Sequence, residues 1–174
     1  MNPPMSAENI IPLAIERFER TLISYAKEIT GDIESARDAV QETFLRLSRQ
    51  DLVAIEPRLA PWLFCVCRNC ALDHRRKVVR FSTEALDEEH EAEEDCPAKT
   101  LMATEDAERL RGLVSKLPER QRELLKLKFE GDLSYKEMGE VMKMSISNVG
   151  VQLHEALQTL RRHWNIDQNP SSAL

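Results

Sequence analysis

Cys65, Cys67 and Cys70 stand in a C-x-C-x2-C spacing that would suit a metal ion if the chain around them were irregular. The stretch that carries them, WLFCVCRNCALDHRRKVV, reads instead as a helix. At roughly 100° per residue, Cys65 and Cys67 then point about 200° apart and cannot converge on one ion. Small buried thiols in a reducing cytoplasm are the better account, and no metal or cofactor is expected. His74, His90, His154 and His163 are scattered, with no HExxH or triad-like context and no glycine-rich phosphate loop in the chain. An enzyme is therefore not expected. The residues left with chemistry are ones that bind. Arg75, Arg76 and Lys77 can grip phosphates, or else complement the dipole at a helix C-terminus. Asn148 and Gln152 can pair bidentately with adenine in a major groove.

Two elements must position that second group. In residues 134–162, Ser134 and Glu137 form a capping-box pattern before an apolar face of Met138, Val141 and Met142. Lys143-Met144-Ser145 makes a short break, and Ser145 can cap a second helix. There Ile146, Val149, Leu153, Leu157 and Leu160 recur at steps of three and four, with Ser147, Asn148, Val151, Gln152 and Glu155 opposite. This is the helix-turn-helix pattern, whose second helix enters the DNA major groove. An ordinary helical hairpin burying its own core would look the same at this level.

Composition is all-α in character: aromatics are few, no stretch alternates as strands do, and Leu, Glu and Arg recur at helical period. No apolar run approaches the roughly 20 residues needed to span a bilayer, and MNPPMSAENII lacks the pattern of a signal peptide. A cytoplasmic protein with no membrane insertion is expected. The net charge of −6 is unevenly placed. Residues 1–80 carry a net +1, residues 81–108 a net −10 and residues 109–174 a net +3. Two near-neutral or mildly basic modules joined by an acidic linker follow from that partition.

Taken in order, residues 1–9 read as a loose tail. Leu13, Ile15, Phe18, Leu22, Ile23, Ala26 and Ile29 make an amphipathic helix, ended by Gly31 in a left-handed stop. Asp32 caps a second helix with Ile33, Ala36, Val40, Phe44, Leu45 and Leu47 inward, and Asp38, Gln41, Glu42 and Arg46 on a face that would ordinarily be mere solvated surface. Residues 51–61 read as a loop with a short helical turn, and Pro61 suits the first position of the next helix. Residues 81–100 are too acidic and too poor in large apolar groups to fold alone. From about Leu101 a helix resumes with Leu110, Leu113, Val114 and Leu117 on one side. Pro118 opens another, with Leu124, Leu125, Leu127 and Phe129 apolar and Gly131 as its stop. QNPSSAL is a tail.

DAVQETFLRL, then WLFCVCRNCALDHRR, then LPERQRELLKLKFEGDLSYKEMGEVMKMSISNVGVQLHEALQTLRR together resemble the extracytoplasmic-function (ECF) group of bacterial sigma-70 factors. The resemblance implies sigma region 2 over residues 10–80, a flexible linker over 81–104 and sigma region 4 over 105–163. It implies that Asp38, Gln41, Glu42 and Phe44 bind the β′ clamp of core RNA polymerase. Arg68, Asn69, Asp73, Arg75, Arg76 and Lys77 match positions that melt and hold the −10 element. Ser145, Ser147, Asn148, Val151 and Gln152 fall where the family reads the −35 element, and region 4 also touches the β flap. An acidic linker suits a path toward the RNA exit. Many members are held by an anti-sigma protein.

Three departures stand out. LVAIEPRLAP lacks the small-polar character usual in the −10 loop, and the cysteines of CVCRNC replace residues that are commonly Arg, Ile and Ala. Gly150, Gln152 and Glu155 stand where many relatives place Lys or Arg, which weakens the salt-dependent phosphate grip. The expected function is promoter selection as a subunit of RNA polymerase. The alternatives are a stand-alone helix-turn-helix regulator and a polymerase-binding adaptor.

Overall fold

A computed structural model describes residues 7–84 and 105–168. The acidic run over 85–104, the start of a helix at Leu101 and residues 1–6 and 169–174 lie outside the described residues; residues 7–9, read as tail, instead open the first helix, and Gln168 closes the last. Every regular element in the described residues is helical.

α1 (Ala7–Thr30) stops where Gly31 turns left-handed at φ +88° and its N–H reaches back to the Lys27 carbonyl at 2.9 Å. Asp32 at once caps α2 (Ile33–Leu47), its carboxylate accepting from the Ser35 N–H at 2.7 Å. A break this short turns the two helices back along each other, as the sequence requires. α2 buries Ala36, Ala39, Val40, Thr43 and Leu47. Thr43 sits inside because its hydroxyl donates to the Ala39 carbonyl at 2.7 Å. Leu45, expected inward, is 54% exposed, since at about 100° per residue it stands half a turn from Ala36 and away from the stripe through Val40, Thr43 and Leu47. On α1, Leu13 is exposed while Ala14 and Tyr25 are buried.

The loop over 51–61 is more ordered than expected. α3 (Leu52–Ile55), capped by Asp51, and a 3₁₀ turn (Glu56–Arg58) feed α4 (Leu59–Glu84). Pro61 is the third residue of α4, not the first, a place where its missing N–H still costs no intrahelical bond. α4 also runs past Arg75, Arg76 and Lys77, so these are not a C-terminal turn and dipole complementation does not account for them.

α5 (Glu105–Ser115), α6 (Glu119–Phe129), α7 (Tyr135–Met142) and α8 (Ile146–Gln168) form the second module. Leu113 and Leu117 of the α5 region are buried; Leu110 and, on α6, Phe129 are exposed, against expectation. After α6 the left-handed residue is Asp132 at φ 52°, not Gly131. Gly131 serves close packing: a Cβ there would sit 2.7 Å from Leu133 Cδ1, 2.9 Å from the Leu127 carbonyl and 3.0 Å from Phe64 Cε2. Phe64 belongs to the first module, so the two modules touch.

They do more than touch. One apolar cluster runs from Leu22, Tyr25 and Phe64 of the first module to Leu124, Leu133, Met138 and Met142 of the second. Tyr25 and Phe64 meet edge to face, centroids 5.3 Å apart at 76°. Inside this cluster Glu123 of α6, 3% exposed, accepts from the Tyr25 hydroxyl at 3.1 Å and from Arg68 Nε at 2.8 Å. Burial, then the Glu123 carboxylate, holds the Tyr25 hydroxyl well above the usual phenol range. Burial opposes the Arg68 charge, but Glu123 outweighs it and strengthens the guanidinium's hold on its proton. Around this centre Arg75 pairs with Glu119, Arg122 with Glu28, and Lys126 Nζ donates to Ser24 at 2.7 Å. Arg58 pairs with Glu140 at 2.5 Å.

Candidate nucleic-acid interface

The helix-turn-helix is built as its residues require. Ser134 and Glu137 complete a reciprocal capping box, and the Ser134 hydroxyl draws the Glu137 carboxyl below its usual range. Met138, Val141 and Met142 are buried. Lys143 takes a left-handed φ of 54°, the Met144 N–H reaches the Gly139 carbonyl at 2.9 Å, and the Ser145 hydroxyl accepts from the Asn148 N–H at 3.2 Å. The buried stripe of α8 is Val149, Leu153 and Ala156. Ile146 and Leu157, expected in it, are 53% and 40% exposed: Ile146 is the first residue of α8, and Leu157 lines the groove beside α5 and α6.

The opposite face keeps Ser147, Asn148 and Val151 exposed, with Gln152 half-buried. Gln152 Nε2 donates to Glu155 at 3.2 Å, which leaves its carbonyl and second N–H for a base edge. Two glycines frame this unit and should respond oppositely. At Gly139 an added Cβ would meet the Met144 carbonyl at 2.8 Å, whereas at Gly150 the nearest atom is a Tyr135 ring carbon at 3.8 Å. Gly139→Ala should cost about 1–3 kcal/mol by overpacking. Gly150→Ala should add up to about 1 kcal/mol by removing a helix-interior glycine. Urea midpoints that move the same way for both would contradict this geometry.

On α4 the six basic and polar positions divide into two stripes. Arg68 and Arg75, seven residues apart, fall on one line and point at the second module. Arg68 is held by Glu123, and Arg75 by Glu119 and the Ile29 carbonyl at 3.4 Å. Asp73, Arg76 and Lys77 face outward, Arg76 paired with Asp73 at 3.0 Å, and Asn69 is half-buried between the stripes. On α2, Asp38 and Gln41 are exposed and Glu42 pairs with Arg46 at 2.5 Å. Phe44 is half-buried against the core. Exposed Leu45 continues the line of Asp38 and Gln41 and was missed by sequence reasoning. The i, i+3, i+7 spacing is the signal that would have found it.

The thiols pack rather than react. Cys67 and Cys70 are buried and Cys65 half-buried, and burial pushes the Cys67 thiol up to about 12 and raises that of Cys70. Thiolate is the reactive form. At pH 8, native protein should therefore leave Cys67 and Cys70 unmodified by iodoacetamide, with labelling only on unfolding; mass spectrometry of the native digest checks it.

A two-module helical protein with a polar-faced recognition helix and a basic long helix beside it defines a DNA-binding protein of the helix-turn-helix class. Comparison narrows the class. Residues 14–81 match the sequence profile of Sigma-70 region 2, and residues 107–160 match that of Sigma-70, region 4. The chain is 31% identical over 164 residues to the ECF RNA polymerase sigma factor SigM of Bacillus subtilis (strain 168), covering 92% of this chain and 96% of that one. It is 23% identical to SigW of the same organism, over 85% of each. In fold it is similar to the sigma factor RpoE of Bartonella quintana, solved with the anti-sigma factor NepR. That match has a TM-score of 0.66 and 20% identity, over 91% of this chain and 99% of that one. It is also similar to CnrH, solved with the cytosolic domain of CnrY, with a TM-score of 0.54 and 18% identity over 90% of this chain and 88% of that one. The chain belongs to the ECF group of sigma-70 RNA polymerase sigma factors, and it directs core polymerase to specific promoters. No helix among the described residues is long and apolar enough to cross a membrane.

Proposed function

We propose that residues 10–80 carry the core-binding and −10 functions and residues 105–163 the −35 function, with 81–104 as linker. The exposed α8 face of Ser147, Asn148 and Val151, with Gln152 at its edge, carries this reading for region 4. Asn148 and Gln152 read base edges and Ser147 bonds phosphate, while Val151 can meet a thymine methyl. The Ser145 hydroxyl caps α8 and keeps its own O–H for a phosphate. Asp38, Gln41, Glu42 and Phe44 meet the β′ clamp, Leu45 adding apolar area beside them. Arg68, Asn69, Asp73, Arg75, Arg76 and Lys77 serve the −10 element, where extruding a base costs a few kcal/mol that the site must offset.

The partners are core polymerase, promoter DNA and an anti-sigma protein. The exposed Leu110, Phe129 and Leu157 rim an apolar groove between α5, α6 and α8 that suits a partner helix, the β flap included. The chain acts in the cytoplasm and catalyses no reaction of its own; the polymerase does. The test is transcription in vitro with purified chain and core polymerase on genomic fragments. Discrete start sites are expected, and a chain that fails to bind core polymerase overturns the assignment.

A further inference from the structure

Glu155 puts an exposed carboxylate on the outward face of α8, three residues from Gln152 and seven from Asn148, where DNA phosphates repel it. Its bonds there are to amides. One carboxylate oxygen accepts from Gln152 Nε2 on its own helix at 3.2 Å and from Gln121 Nε2 of α6 at 3.5 Å. Gln121 is buried, and its neighbours Leu124 and Leu125 belong to the core, so Glu155 is tied to the packed scaffold as well as to α8. A carboxylate accepts and does not donate, so Gln152 must turn its NH2, not its carbonyl, toward Glu155. One N–H of Gln152 is thereby committed, and the rest of the amide has a fixed sense.

We propose that Glu155 is a positioning residue for promoter recognition, which acts through Gln152 to select adenine over guanine at one base pair of the −35 element. This rests on the assignment of α8 to that element. In the major groove adenine offers its N6 amino donor and its N7 acceptor, which match the free carbonyl and second N–H of Gln152. Guanine offers two acceptors, O6 and N7, and needs two donors that the held amide no longer has. The flipped amide, with its carbonyl toward Glu155, sets oxygen against oxygen and is excluded. The same charge opposes phosphates whatever the sequence, so Glu155 lowers affinity generally while it sharpens the choice of base.

The experiment uses holoenzyme reconstituted from the full chain and core polymerase. The probes are duplex fragments of a promoter mapped by in vitro transcription, with each A·T pair of the −35 element replaced in turn by G·C, and competition gel shifts give relative affinities. Wild type should lose about tenfold at one position, the discrimination of a bidentate pair. In E155A that loss should fall below threefold, with the other positions unchanged. E155Q keeps an acceptor for Gln152 and removes the charge. It should retain the tenfold loss while binding every fragment more tightly, most of all at low salt. Q152A should erase the preference, and Q152A/E155A should match Q152A at that position. If E155A fails to fold, E155S takes its place, its side chain too short to reach Gln152. Full discrimination in E155A overturns the positioning role, as does an equal change on all fragments with no change of preference, which is what a merely structural role gives. Loss of the preference in E155Q, or a further change of preference on adding E155A to Q152A, overturns it too. If Q152A leaves every preference intact, the assignment of Gln152 to a base edge falls and the positioning role with it; if Q152A erases the preference and E155A does not, only the positioning role falls.

Discussion

Arg75→Ala combined with Arg76→Ala should lower promoter-dependent transcription by about 100-fold or more, with holoenzyme assembly intact. Specific arginine contacts to nucleic acid are worth about 1–3 kcal/mol each. Two lost together make open-complex formation the failing step. There is an opposing effect, because Arg75 also pairs with Glu119 and its removal loosens the contact between modules. The magnitudes decide between them. Arg75 and Glu119 side chains are 41% and 44% exposed, and exposed pairs contribute only about 0.2–1 kcal/mol. Loss of DNA contacts therefore dominates. Permanganate footprinting should show duplex melting lost, and the salt slope of binding should shrink by roughly 0.7–0.9 per contact removed. Wild-type melting in the double variant would remove α4 from the −10 role.

The second large effect is on stability. Phe64→Ala should cost about 3–5 kcal/mol, the range for a truncated buried phenyl ring, out of the roughly 5–15 kcal/mol that holds a typical domain together. The ring is fully buried, edge-on to Tyr25, and against the Gly131 backbone of the other module. Its loss empties a site that both modules line. A urea melt should show the drop and, with it, earlier separation of the modules. Leu45→Ala is the contrast. Leu45 is 54% exposed, so its truncation should move stability by less than about 0.5 kcal/mol while weakening core-polymerase binding. A large stability loss at Leu45, or none at Phe64, would contradict the packing described.

Caps and stops were the most legible features, because they are local. Gly31, Asp32, Ser134, Glu137 and Ser145 do in the structure what their residue types and neighbours require. Helix faces were legible only to within one step. Leu13, Leu45, Leu110, Phe129, Ile146 and Leu157 satisfy a helical period and are nonetheless exposed. Periodicity assigns large apolar residues to the inside, whereas burial also depends on which stripe a neighbouring helix covers and how near a residue stands to its helix end. Gly131 was read as a stop because a glycine after a helix usually is one. Here the turn falls to Asp132, and the glycine answers to Phe64, 67 positions away in the chain.

By itself the sequence determined the helical class, the helix breaks, the charge partition and, through three motifs in series, the family. These depend on neighbours within a few residues or on composition, which a linear chain displays directly. Only the tertiary structure decided that the modules share a core, that Arg68 and Arg75 are spent on Glu123 and Glu119, and that Arg76 and Lys77 are not. Tyr25 and Glu123 are 98 positions apart, and Arg68 and Glu123 are 55 apart. No local rule pairs residues at that range. A polar side chain in an otherwise solvated pattern reads as surface until the element that buries it is in place.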